Sequence, residues 1–134
     1  MKFSAIATIL CSFAGLVLGQ ATPNYTSPLG VEIYNPDQSF EPSGPWSLMT
    51  KAGNTLYISG MRGFYPSNTT LAPIGLPRVQ QAFANMKQLA ELGGTNLELW
   101  KDVAPNYPAR SIIEVQRLND DDIVEVEGTF YLGD

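Results

Sequence analysis

From Ile123 to Leu132 the chain alternates, with Val124, Val126, Phe130 and Leu132 on one side and Glu125, Glu127 and Thr129 on the other. A side-chain period of two belongs to a strand with one buried face, and no helix can carry it. A second alternating run starts at Ser111, where Ile113 and Val115 are set against Ile112, Glu114 and Gln116. Pro108 biases Tyr107 toward an extended backbone, so this run also begins as a strand. Asn119-Asp120-Asp121-Asp122 between the two runs is turn chemistry, which predicts adjacent strands joined by a polar loop. Arg110 then stands at the entry to one strand and Glu125 within the other. A guanidinium and a carboxylate so placed form an anion-binding corner, although either residue alone reads as ordinary surface charge.

The rest of the chain limits the chemistry such a corner can do. Lys2 followed by the apolar run Ala5 to Leu18 reads as a secretory signal peptide over residues 1–19, too short for a comfortable membrane span. Cleavage before Gln20 removes Cys11, the one cysteine, so the mature protein has no disulfide and is held by packing or oligomerisation. Asn24-Tyr25-Thr26 and Asn68-Thr69-Thr70 are glycosylation sequons and fit a secreted, extracellular protein. The formal charge of −5, with no basic cluster, argues against nucleic acid as partner. No histidine is present, which excludes serine–histidine and cysteine–histidine nucleophilic sites and imidazole metal ligands. The three aspartates 120–122 lack the spaced ligands and glycine of a calcium loop and read as a solvated turn, so no metal is expected.

Residues 20–30 are rich in Pro, Ser and Thr and read as a flexible lead-in to a single domain over 31–134. Strands are predicted at Val31–Tyr34, Trp46–Lys51 and Thr55–Ser59, the last two joined at Ala52-Gly53-Asn54, whose Gly and Asn tolerate positive φ. Gly60, Gly63, Pro66 and Pro73 mark a loop. One helix follows: Pro77 suits its first turn, Val79, Ala82, Phe83, Met86, Leu89 and Ala90 form an apolar stripe, and Gly93-Gly94 ends it. Arg78, Gln81, Asn85, Lys87 and Gln88 fall mainly off that stripe.

Several of these stretches together resemble the YjgF/Rid family of enamine/imine deaminases. The C-terminal half of the resemblance rests on Pro108-Ala109-Arg110-Ser111, on Val115 and Leu118, and on Val124-Glu125-Val126. The N-terminal half rests on Ser43-Gly44-Pro45-Trp46-Ser47 and on Gly53 through Gly60. The resemblance runs from Tyr34 to Leu132. It implies an α/β (α+β), chorismate-mutase-like fold, a homotrimer with clefts between subunits, and cofactor-free hydrolysis of 2-enamine or 2-imine acids to 2-keto acids and ammonia. Within it Arg110 would anchor the substrate carboxylate and Glu125 would position water and move protons, with Trp46, Ser59 and Gly60 completing the substrate site. A guanidinium fork is the natural bidentate partner of a carboxylate, and a nearby carboxylate can serve water adding to C=N.

Three departures qualify that expectation. Trp46 stands where the family typically has Tyr, and an indole donates a hydrogen bond but cannot act as phenolate. Met61 stands where Gln is common. Between Val103 and Ala104 the family's second helix and one strand, roughly 20–30 residues with their loops, are absent. Three readings follow from the sequence: a secreted deaminase, a non-catalytic module that binds small carboxylates, and a defective truncated isoform.

Overall fold

The computed structural model describes residues 19–95, 109, 111 and 113–133. Its strands are β1 (Tyr25–Thr26), β2 (Glu32–Tyr34), β3 (Met49–Ala52), β4 (Thr55–Met61) and β5 (Val126–Tyr131), and its helix is α1 (Leu76–Leu92). The five strands form one sheet in sequence order β1-β2-β3-β4-β5, antiparallel throughout. The tight β3–β4 hairpin forms where the sequence places it: Ala52 pairs with Thr55, and Gly53 takes the positive φ of 57° that the turn requires.

One helix lies on one face of the sheet, against β4 and β5. Met86, Leu89, Ala90 and Leu92 of α1 share a core with Leu56 and Ile58 of β4, Met49 of β3 and Phe130 of β5. Full burial of each large apolar side chain is worth about 1.5–3 kcal/mol. The helix starts with Pro77 in its first turn and is closed by Gly93, whose N–H reaches the Leu89 carbonyl, and by Gly94 at φ 90°. This α+β architecture, with a single α-helix among the described residues, is the fold class the sequence implied. No helix among the described residues is long and apolar enough to cross a membrane.

The β5 alternation is real. Phe130 is buried, and Val126 and Leu132 pack against the core while Glu125, Glu127 and Thr129 stay exposed. The strand is shorter than the alternation, because pairing with β4 begins only at Val126 opposite Met61. Likewise β3 starts at Met49 rather than Trp46, since the Trp46 N–H turns back to the Gly44 carbonyl. Residues 20–30 are more structured than a lead-in: Ala21 N–H donates to the Leu92 carbonyl and β1 pairs with β2.

Three expectations need correcting. The run from Ser111 to Gln116 is not a strand in any of its described residues, and Ile113 is 79% exposed. Alternation alone did not suffice there, because a strand also needs a pairing partner and the described residues of this run have none. The helix stripe is also rotated from the expected one. Phe83 is 41% exposed, whereas Arg78 and Asn85 lie on the buried side, where each finds polar partners. Finally, the aspartate-rich stretch is not wholly a solvated turn. Asp120 and Asp121 are exposed, at φ 56° and 53°, but the Asp122 side chain is 0% exposed.

Candidate functional site

β4 carries one irregularity, and the site is built around it. Ile58 pairs with Gly128 and Met61 with Val126, so three steps along β4 oppose two along β5. The extra residue, at Ser59-Gly60, is a β-bulge, which resets the side-chain alternation. Leu56, Ile58 and Met61 therefore all reach the core despite their spacing. Ser59 is fixed by its own N–H donating to the Leu48 carbonyl (3.0 Å) and by its hydroxyl donating to the Ser47 carbonyl (2.6 Å).

The bulge opens on a cleft of about 800 Å³ whose lining includes Trp46, Ser59, Gly60 and Glu125 together with Phe40, Arg62 and Phe64. Four sequence-nominated residues from separate stretches are thus brought to one place. The Glu125 side chain lies over Gly60: a Cβ there would meet Glu125 Oε1 at 2.3 Å. Trp46, 39% exposed, folds back so that a Cβ on Gly44 would stand 3.3 Å from its indole nitrogen. Its ring forms an apolar wall with one N–H donor. Arg110 and Ile112 lie outside the described residues, as do Tyr107, Pro108 and the stretch from Asn96 to Val103. Ala109 and Ser111, on either side of Arg110, are exposed.

The sequence reading missed a polar cluster at the inner end of this cleft. The Asp122 carboxylate accepts from Arg62 Nε (2.8 Å), from Arg78 Nη1 (2.6 Å) and from the Ile123 N–H (2.8 Å). Arg62 also pairs with Asp120 (3.0 Å) and stacks over the Phe64 ring, 4.8 Å from its centroid. Arg78 donates through Nε to the Ala72 carbonyl, and Asn85 donates to the carbonyls of Arg62 (2.8 Å) and Phe64 (2.7 Å). Burial alone would raise the Asp122 pKa, but the two guanidiniums and the backbone N–H outweigh it and hold the carboxyl below its ordinary range. For Arg62, burial works against the charge, yet the bonds to Asp122 and Asp120 leave its pKa raised. Arg62 and Asp122 are 60 residues apart in sequence, so neither spacing nor periodicity links them.

A smaller cleft of about 280 Å³ at the other end of the sheet is lined by Tyr34, Lys51, Leu92 and Gly94 among others. Its polar groups satisfy one another: the Tyr34 hydroxyl donates to Glu32 (2.7 Å), and Lys51 pairs with the same carboxylate (3.3 Å). No group of three or more acidic, cysteine or histidine side chains among the described residues is arranged to hold a metal. The cleft around Glu125 is the one whose groups can serve chemistry. It offers a carboxylate at a glycine floor, an aromatic wall and a serine on the rim.

No family model matches the chain. Among curated proteins it is similar to the 2-iminobutanoate/2-iminopropanoate deaminase of Dermatophagoides farinae, 29% identical over 110 residues, covering 65% of this chain and 85% of that protein. It is also similar to a RutC family protein of Sulfurisphaera tokodaii, 27% identical over 108 residues, covering 64% and 86%. The partial coverage in both cases is consistent with a segment missing from this chain. Among solved structures it superposes on RidA from a Psychrobacter species with a TM-score of 0.64 at 28% identity, over 74% of this chain and 97% of the other. Yeast Mmf1 shares the fold alone, with a TM-score of 0.65 at 19% identity over 75% and 98%. By sequence and by fold together, these comparisons support the resemblance to the YjgF/Rid family.

Proposed function

We propose that the protein hydrolyses 2-imino or 2-enamino acids to 2-keto acids and ammonia, with Glu125 as the group that handles water and protons. The observation that carries this reading is the cleft itself, where the Glu125 carboxylate stands over the Gly60 backbone beside Ser59 and Trp46. The similarity to a deaminase of 2-iminobutanoate and 2-iminopropanoate supports the substrate class.

The chemistry needs little beyond placement. Water adds to the C=N carbon, the tetrahedral carbinolamine loses ammonia, and the carbonyl remains. Glu125 takes a proton from the attacking water and passes it to the imine nitrogen, then takes the carbinolamine hydroxyl proton and passes it to the departing amine, so both protons leave on ammonia and the carboxylate is regenerated. Imines hydrolyse without a cofactor, and holding carboxylate and water in register supplies the acceleration. Arg110 is assigned the substrate carboxylate, because its planar fork matches that group bidentately. Trp46 walls the apolar side chain of the substrate and contributes no proton transfer.

We propose further that the protein is secreted after cleavage near Gly19, from the apolar run Ala5 to Leu18, and glycosylated at Asn24 or Asn68, both exposed sequons. The homotrimer that the family resemblance implies is part of the same proposal. The decisive experiment generates the imine in place with an amino-acid oxidase acting on alanine or 2-aminobutyrate, then follows its loss and the ammonia released. Acceleration by the wild type and its loss in Glu125→Gln are expected. Binding of pyruvate without any acceleration would instead make the protein a carboxylate-binding module.

A further inference from the structure

Glu125 sits in a short span that is pinned at both ends, to the last residue of β4 and to the residue that follows it. At one end Val126 pairs in register with Met61. At the other, Asp122 is held by Arg62, the next residue along. Residues 123–125 between these anchors carry no strand pairing of their own. Glu125 thus lies between two anchors, the register pair at Val126 and the ion pairs of Asp122. The second guanidinium, Arg78 of α1, ties the same carboxylate to the helix, and Asn85, two turns further on, fixes the carbonyls of Arg62 and Phe64.

Net stability is a poor explanation for this arrangement. Buried ion pairs recover little beyond their desolvation cost. Here one guanidinium nitrogen, Arg62 Nη2, is buried with no hydrogen-bond partner among the described residues, which adds to that cost. What the arrangement does provide is a fixed distance between β4, α1 and the residues leading into β5. We propose that Asp122, clamped between Arg62 and Arg78, is the positioning residue that holds the Glu125 carboxylate in its working place. This rests on the reading of Glu125 as the proton-handling group. Asp122 itself touches no substrate: its side chain is fully buried, and it acts only through the three-residue span.

The test uses steady-state kinetics on enzymatically generated 2-iminobutanoate, calorimetric binding of pyruvate, and thermal unfolding. It compares the wild type, Glu125→Gln, Asp122→Asn and the double variant Asp122→Asn/Arg78→Gln. The double variant removes one guanidinium that the single change leaves buried and uncompensated, so it keeps the comparison possible if Asp122→Asn does not fold. A positioning role predicts a kcat at least tenfold below wild type in both Asp122 variants, with KM and pyruvate affinity within about twofold of wild type. In the double variant kcat should stay low even as Tm recovers. Wild-type kcat in Asp122→Asn, or recovery of kcat together with Tm in the double variant, would overturn the inference and leave Asp122 a purely structural residue. Wild-type turnover in Glu125→Gln would overturn the role of Glu125, and this inference with it. Low turnover in Glu125→Gln beside normal Asp122 variants would overturn this inference alone.

Discussion

Glu125 occupies the space that a side chain at Gly60 would fill, with its Oε1 2.3 Å from where a Cβ would stand. The clash is with the Glu125 side chain, from Cγ to Oε1, and not with backbone, so Gly60→Ala is expected to fold with a Tm near wild type and yet displace the carboxylate. Imine hydrolysis should fall tenfold or more with pyruvate binding little changed. Parallel loss of Tm and activity would show that the glycine serves the bulge rather than the carboxylate.

Arg110 tests the other half of the proposed site. Arg110→Ala is expected to lose carboxylate binding by about 2–5 kcal/mol, the cost of breaking a desolvated charged pair. Arg110→Lys should recover little of it, because a point charge does not reproduce a planar fork. Calorimetry with pyruvate on the three proteins is the measurement, and equal affinities would remove Arg110 from the site.

Asn85 gives a stability prediction. It is buried and donates to the carbonyls of Arg62 and Phe64. Asn85→Ala leaves both acceptors without that donor, at about 1–3 kcal/mol for each orphaned group. Urea unfolding should show a midpoint well below wild type with an unchanged slope.

The acid limb of stability follows from Asp122. Its folded pKa lies below the ordinary value of 3.8, so ionised Asp122 stabilises the fold fully above that value. That contribution is lost as pH falls through the folded pKa. Wild-type Tm should therefore drop steeply below about pH 4, and Asp122→Asn, already destabilised, should show a shallower fall there. On the alkaline side, burial and the bond to Glu32 push the Tyr34 phenol up to about 12. The neutral phenol favours the fold, so this contribution is present below pH 10 and is lost between 10 and 12. Tyr34→Phe should flatten Tm over that interval.

The strand and helix that the family resemblance leads one to expect between Val103 and Ala104 give a further prediction. Inserting a family-like strand and helix between Val103 and Ala104 should raise Tm and favour a trimer, with sedimentation and thermal unfolding on both forms as the check. A native form that is already a cooperative trimer of equal Tm would show that the short chain needs no such segment.

Elements whose pattern is local were legible in the sequence, and those whose logic is tertiary were not. The β3–β4 hairpin needs only Gly53-Asn54, and α1 needs only Pro77, an apolar period and Gly93-Gly94, all visible in a dozen residues. Trp46, Ser59, Gly60 and Glu125 were nominated by resemblance, and the structure brings them to one cleft. The failures share a cause. Ser111–Gln116 alternates like a strand, yet its described residues find no pairing partner. Arg78 and Asn85 look like surface residues until Asp122 and the Arg62 carbonyl arrive from distant parts of the chain to satisfy them. A polar side chain is legible as buried only once its partners are known.

The order of the sheet also has a consequence for how the protein is made. Strands β1 to β4 follow one another in space as in sequence, so most of the sheet can assemble while the polypeptide is still emerging. β5 joins only by pairing across a long excursion, with Leu56 opposite Phe130. Contacts that close so large a loop form late and slowly. Glu125 lies just before that final strand, so the nascent chain carries a nearly complete scaffold in which Glu125 has not yet reached its cleft. Activity should therefore appear as a distinct last event in refolding, lagging behind helix and hairpin signals.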